Sequence, residues 1–210
     1  MQRVAVIGAG SWGTTLAIHL ARNGHDVRVW VRESELLEAM RATGENTMFL
    51  PGFVLPESVR PYGTFEETLK GASLVLWAVP SHGTRDVLRS AAPFIEPSAT
   101  IVSATKGLEP DTLLRISQVI TAELGNRHRV VILSGPSFAV EVARQMPTAV
   151  CAASTDLRAA EEVQKEFRAR YFRIYATDDV VGVELGAALK NVIAIAAGVV
   201  EGLGLGHNSL

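Results

Sequence analysis

Short apolar runs alternate with stretches of helical spacing along almost the whole chain. Residues 3–7, running from Arg3 through Val4, Ala5 and Val6 to Ile7, predict a buried parallel strand. Residues 14–22 predict the helix that follows, closed by Asn23 and Gly24, and residues 26–31 a second strand. A short surface helix at 33–43 comes next. Pro51, Pro56 and Pro61 then mark residues 46–62 as an ordered loop, and 65–71 as a helical turn ending on Gly71. Further strands are expected at 73–79 (stopped by Pro80), 100–105 and 130–134, with helices at 85–92 and 111–124. Two last strands, 148–153 and 172–176, flank a helix at 157–170. Strands alternating with helices imply a mostly parallel sheet covered on both faces.

The pattern changes after Thr177. Between Val180 and Val200 the only charged residues are Glu184 and Lys190, so a long, nearly apolar helix is expected, buried against something larger. A membrane span is disfavoured by the lysine at its centre and by the shortness of the uninterrupted apolar part, residues 192–200. The sequence ends soon afterwards at Gly206, His207, Asn208, Ser209 and Leu210, which reads as a pattern cut short.

The first strand and helix are joined by Gly8-Ala9-Gly10-Ser11-Trp12-Gly13. Glycines at this spacing, in the first turn of a strand–helix–strand unit, are a dinucleotide-binding signature. The first permits the tight turn, the second lets the backbone approach a pyrophosphate at the helix N-terminus, and the third lets helix and strand pack closely. The end of the second strand bears on which dinucleotide. An acid there would hold the ribose hydroxyls of NAD, whereas Arg32 suits the 2′-phosphate of NADP. Glu33 follows directly and would serve the ribose if the register were one residue off, so NADP is favoured and NAD stays open.

Composition narrows the classes. The chain has 210 residues, 48% hydrophobic and 20% charged, as expected of an α/β protein with a sizeable core. A net charge of -2 argues against a nucleic-acid or anionic-membrane partner. The single cysteine, Cys151, lies in an apolar run, reads as a buried inert thiol and fits a reducing cytosol. Met1-Gln2-Arg3 leads straight into the first strand, leaving no room for a signal peptide. The histidines, His19, His25, His82, His128 and His207, lack ligand spacing, so no metal is expected.

Three further positions carry candidate chemistry. Lys106, beside Gly107 at a strand end, is placed to present an ammonium to a phosphate or a carbonyl oxygen. Ser134-Gly135-Pro136-Ser137 predicts another helix start, with Pro136 in the first turn and the Ser137 hydroxyl near free amides, either a second anion site or ordinary capping. Lys190 has only Gly186, Ala187, Ile193 and Ala194 as helical neighbours, and Glu184 lies off its face. A lysine confined among apolar groups suits a residue that gives or takes a proton near neutral pH. Asn191 adjoins it.

Taken together, these blocks resemble the bacterial-type NAD(P)-dependent glycerol-3-phosphate dehydrogenases. The matching segments are Val6–Thr14, Ala21–His25, Phe49–Gly52, Val79–His82, Ala104–Glu109, Ser134–Ala139 and Leu189–Ala194, spread nearly end to end. The resemblance implies a Rossmann-like, doubly wound α/β domain over residues 1–178, and the first helix of an all-helical substrate domain over 179–210. It implies reduction of dihydroxyacetone phosphate to sn-glycerol 3-phosphate for phospholipid synthesis in the cytoplasm. It also implies a homodimer for the full-length enzyme. Ser11, Trp12 and Arg32 would contact the dinucleotide, as would Gly8, Gly10 and Gly13 through their turn, and Ala139 would lie against it. Lys106 would touch cofactor and substrate, Gly135 and Ser137 the substrate, and Lys190 would supply the proton. Phe49 departs from the tyrosine many relatives carry, and the helical domain's Arg-Asn pair is not in these 210 residues, which alone are expected to bind cofactor but turn over poorly or not at all. Two other readings fit the same residues: a reductase or 3-hydroxyacid dehydrogenase of another carbonyl compound, and a non-catalytic dinucleotide-binding module.

Overall fold

A computed structural model describes residues 1–206 and 208. His207, counted above among the unlikely metal ligands, lies outside the described residues. Eight strands form one sheet in the order β3-β2-β1-β4-β5-β6-β7-β8. They are β1 (Arg3–Ile7), β2 (Asp26–Trp30), β3 (Val59–Tyr62), β4 (Leu74–Trp77), β5 (Thr100–Ser103), β6 (Val130–Ser134), β7 (Thr148–Ala153) and β8 (Phe172–Thr177). All neighbours run parallel except β6 and β7.

The apolar runs become strands because both sheet faces are covered. Along β1, Val4 and Val6 join one core while Ala5 and Ile7 join the other, the two-residue period of a pleated strand. The first core takes Leu16 and Leu20 from α1 (Ser11–Arg22), Leu36 and Met40 from α2 (Ser34–Thr43), and Val163 and Phe167 from α7 (Leu157–Phe167). The second takes Leu69 from α3 (Phe65–Leu69), Leu88 from α4 (Thr84–Ala91), and Val119 and Ile120 from α5 (Ile116–Leu124). A short α6 (Ala139–Ala143) precedes β7, and α8 (Val180–Gly202) ends the fold. From β1 the chain winds outward through β2 and β3, then returns to β4 on the other side. That reversal opens a crevice at the carboxyl ends of β1 and β4, where ligands bind in such sheets.

Several expected boundaries move. β3 lies inside the supposed proline-rich loop. Pro61 is tolerated because β3 is an edge strand, where one missing N–H breaks no central ladder. Helix α5 starts at Ile116 rather than 111, because Leu113 adopts a positive φ of 58° and Leu108 bridges Arg115 in a tight excursion. Helix α6 starts at Ala139, so Pro136 lies ahead of it and not in its first turn. Helix α1 begins at Ser11, which puts Gly13 inside it.

Helix α8 has the expected length but not the expected burial: among its residues only Glu184 is buried. Within these residues it packs against β6 and β7 and, through Glu184, against Arg115 and Ser117 at the start of α5, leaving Leu189, Val192, Ile193, Ile195 and Val199 exposed. By length and composition it is the one described helix apolar enough to cross a membrane, with a mean hydropathy of 1.7 in its most apolar stretch.

One core polar group has a consequence for stability. His19 of α1 is buried, with Nε2 2.6 Å from the Phe167 carbonyl oxygen and Nδ1 2.8 Å from the Tyr171 hydroxyl. A neutral ring that donates from Nε2 and accepts at Nδ1 satisfies both, and burial lowers its pKa from 6.5 to about 4. The unfolded chain therefore binds a proton that the folded one refuses between those values. Stability that is complete above pH 6.5 should fall by about 3 kcal/mol as the pH drops to 4. Urea unfolding at stepped pH, with the His19 ring titration followed by NMR, checks this; an ordinary midpoint near 6.5 would refute it.

Candidate active site

The turn after β1 is built by exclusion of side chains. Gly8 has φ 113°, and a Cβ there would lie 2.8 Å from the Ala78 carbonyl oxygen. A Cβ on Gly13 would lie 2.0 Å from the Gly8 carbonyl oxygen, so α1 reaches the turn only because position 13 is bare. Gly10 is different: a Cβ there would meet nothing within 4 Å and would project into open space. Asn46, missed in the sequence, holds the turn from outside. Its buried amide donates to the Ala9 carbonyl oxygen and to Thr14 Oγ1, both at 2.8 Å.

A cleft of about 470 Å³ opens over this turn. Gly8, Gly10, Ser11, Trp12 and Gly13 form its floor, and Arg32, Glu33, Phe49 and His82 stand around it. Arg32 bonds Glu33 Oε1 through Nε at 2.9 Å and NH2 at 2.7 Å, so the two residues competing for the coenzyme's ribose end are paired to each other. A second cleft of about 350 Å³ is lined by Lys106, Gly135, Pro136, Cys151, Gly186 and Lys190. A smaller hollow joins the two and holds Trp12, Lys106, Ser137 and Ala139. Every sequence-predicted site residue thus lies along one continuous depression at the carboxyl edge of the sheet.

Lys106 stands where the clefts meet. Its Nζ donates to Ser137 Oγ at 3.1 Å and to the Gly135 carbonyl oxygen at 3.3 Å, and sits 5.8 Å from the Trp12 ring centre. The Ser137 hydroxyl in turn donates to the Gly135 carbonyl oxygen, so here it organises the lysine and caps no helix. Burial, and then the charge of Lys190, lower the pKa of Lys106. The loop behind it is braced by Arg85 of α4, which forks onto Glu109 at 2.7 and 2.8 Å and also pairs with Glu123 of α5. That hydrogen bonding, with a further bond from Thr112, lowers the Glu109 pKa to about 2.

Two expectations are corrected. Lys190 is not confined among apolar groups: it is exposed on α8 and donates to Asn191 Oδ1 at 3.0 Å. The lysine whose charge burial disfavours is Lys106, because the face of α8 beyond Glu184 has no cover within these residues. Cys151 is not a fully buried core thiol but partly buried on the wall of the second cleft, since the inward positions of β7 are taken by Val150 and Ala152. Among the described residues, no three His, Cys, Asp or Glu side chains are grouped to hold a metal.

The residues present fit a dinucleotide. Gly10 offers backbone at close range, α1 presents unpaired amides, and Trp12 Nε1 is buried at the cleft with no hydrogen-bond partner in the described structure. Fold and site together define a dinucleotide-binding domain of the doubly wound α/β class. Residues 3–160 match the model for the NAD-dependent glycerol-3-phosphate dehydrogenase N-terminus, and residues 179–210 that for its C-terminus. The chain belongs to the NAD-dependent glycerol-3-phosphate dehydrogenase family.

It is 53% identical over 210 residues to glycerol-3-phosphate dehydrogenase [NAD(P)+] of Geobacter metallireducens, a match covering 99% of this chain and 63% of that one. The enzyme of the same name from Bacillus cereus is 48% identical over 211 residues, covering 100% and 62%. A crystal structure of glycerol-3-phosphate dehydrogenase from Coxiella burnetii superposes with a TM-score of 0.90 at 39% identity, covering 99% of this chain and 63% of that one. The chain therefore spans less than two thirds of the length of these relatives.

The glycine geometry makes a direct prediction. Gly13→Ala should destabilise the chain by about 3 kcal/mol or more, because helix and turn must separate. Gly10→Ala should stay within about 1 kcal/mol of the parent. Urea unfolding of the two variants compares them, and equal losses would contradict the assigned packing.

Proposed function

We propose that this chain is the coenzyme-binding part of an enzyme that reduces dihydroxyacetone phosphate to sn-glycerol 3-phosphate with NAD(P)H. The observation that carries the reading is the convergence of Lys106 and Lys190 on one cleft, joined through Trp12 and Lys106 to the cleft over the glycine turn. Two cations beside a dinucleotide site suit a small anionic carbonyl compound better than a neutral one. Residues 1–178 form the coenzyme domain in this reading. Residues 179–210 begin a helical domain, on whose core the exposed apolar face of α8 packs in a soluble, cytoplasmic homodimer.

The roles follow from position. The first-turn amides of α1, at Ser11 and Trp12, hold the pyrophosphate over Gly8, Gly10 and Gly13. Ala139 lies against the coenzyme, and Arg32, on leaving Glu33, grips a 2′-phosphate. Lys106, Ser137 and the backbone at Gly135 hold the substrate. A nicotinamide coenzyme held there would supply hydride chemistry at the carbonyl carbon. Lys190 gives a proton to the carbonyl oxygen, so that C=O becomes CH–OH with no charge left on the oxygen. Lys106, partly desolvated, stabilises negative charge on that oxygen until the proton arrives.

Fluorescence titration of the 210-residue chain with NADPH and NADH tests the first half. NADPH should bind more tightly, Arg32→Ala should weaken it about tenfold or more with little change for NADH, and Gly10→Ala should weaken both. In the full-length enzyme, Lys190→Ala should lower kcat by about 10²- to 10⁴-fold with dihydroxyacetone phosphate. A folded chain that binds neither nucleotide, or a full-length Lys190→Ala variant of normal kcat, would overturn the reading.

A further inference from the structure

Helix α8 is held by an acid. Glu184 is its only buried residue, and its carboxylate accepts three hydrogen bonds: from Arg115 NH1 at 2.7 Å, from Ser117 Oγ at 2.6 Å and from the Ser117 backbone amide at 2.8 Å. Ser117 lies in the first turn of α5, whose dipole also favours the negative charge. One turn earlier, the Asp179 side chain accepts from the Gly182 amide at 2.8 Å and starts the helix. Most of the rest of the contact face is small: Gly182, Gly186 and Ala187 line the second cleft, with Val183 the one larger apolar side chain among them. A surface mostly of glycine and alanine resists sliding or turning of a helix only weakly, because it has few side chains to seat in a groove. A carboxylate with three directional donors resists both.

Lys190 lies six residues beyond Glu184, about 9 Å further along the same helix. A rotation of one residue step, about 100°, would carry it away from the cleft it shares with Lys106. We propose that Glu184 is a positioning residue: clasped by Arg115 and Ser117, it sets the rotation and height of α8 and so keeps Lys190 facing Lys106. The clasp makes Lys190 part of the sheet domain's rigid body, independent of whatever packs on the exposed face of α8. The value of this placement to catalysis rests on the function proposed above. The placement itself does not, and it can be read without turnover.

The test uses the 210-residue chain and the ionisation of Lys106, which Lys190 influences across the cleft. Lys106 labelling by an amine-reactive probe is measured against pH by mass spectrometry in the parent, Glu184→Ala, Glu184→Gln and Lys190→Ala. Lys190→Ala should move the Lys106 profile to higher pH by removing the neighbouring charge. Glu184→Ala should move it the same way, and Glu184→Gln, which keeps an oxygen for the Ser117 amide, should partly restore it. Glu184→Ala combined with Lys190→Ala should shift no further than Lys190→Ala alone. Amide exchange through α8 should speed up about tenfold or more in Glu184→Ala, while NADPH binding stays unchanged. If Glu184→Ala does not fold, Ser117→Ala, which removes one donor, carries the same comparison. A folded clasp variant with the parent's Lys106 profile would overturn the proposal, as would an equal shift from Glu184→Ala with Lys190 already absent. In full-length enzyme the same variant should lower kcat without raising KM for NADPH. A loss of the labelling shift sinks the clasp, whereas inactivity of the parent with dihydroxyacetone phosphate sinks the proposed reaction alone.

Discussion

Helix α1 meets the turn after β1 at a separation that leaves no room for one methyl group. Much of the architecture depends on that contact. It brings the positive end of α1 to the carboxyl edge of the sheet, at the point where strand order reverses between β1 and β4. It also places Thr15 so that its hydroxyl reaches the Ala139 carbonyl oxygen at 3.2 Å, and Arg22 so that it reaches that of Ala143 at 2.9 Å, which seats α6 against α1. The segment leading into α6 carries Gly135 and Ser137. Coenzyme cleft and lysine cleft are therefore registered to each other through α1, although their residues are far apart in sequence.

The electrostatics of the joint site are asymmetric. Lys106 and Lys190 face one cleft, and the charge of Lys190 disfavours that of Lys106. Among the described residues Lys106 has no carboxylate partner; it is held by the Trp12 ring, a hydroxyl and a carbonyl oxygen. The acids nearby are committed elsewhere, Glu109 to Arg85 and Glu184 to Arg115. Neutralising these two carboxylates with arginines at the back of the site leaves the cleft itself net positive, an arrangement that attracts an anion without supplying an internal one.

Local signals made most of this legible, and non-local pairing hid the rest. The β1–α1–β2 unit and the glycine turn could be found, and Arg32, Lys106 and Ser137 singled out as candidates, because each depends on neighbours within a few residues; Lys190 was singled out by an apolar confinement that the structure does not show. β3 was hidden because Pro61 is acceptable only on an edge, and edge position is decided by the whole sheet. The antiparallel β6–β7 pairing carries no mark in the composition of either strand. Asn46 and Glu184 were passed over for a related reason: the Asn46 amide donates to groups 32 or more residues away and Glu184 accepts from groups 67 or more away, so nothing adjacent reveals that either will be buried. The helical pattern of 180–200 was right about conformation; the larger body it was expected to pack against is not among the described residues, where Glu184 alone of α8 is buried.

The wall that α8 contributes to the lysine cleft has a character of its own. At Gly186 and Ala187 it is nearly bare main chain, and a Cβ on Gly186 would touch no other part of the protein. Side-chain walls adapt by changing rotamer, so they accept guests of graded size. A main-chain wall has no such freedom, and its height changes only in whole carbon atoms. The chamber beside Lys106 and Lys190 thus has one stretch of wall that no change of rotamer can move, set among the movable side chains of Val183 and the two lysines.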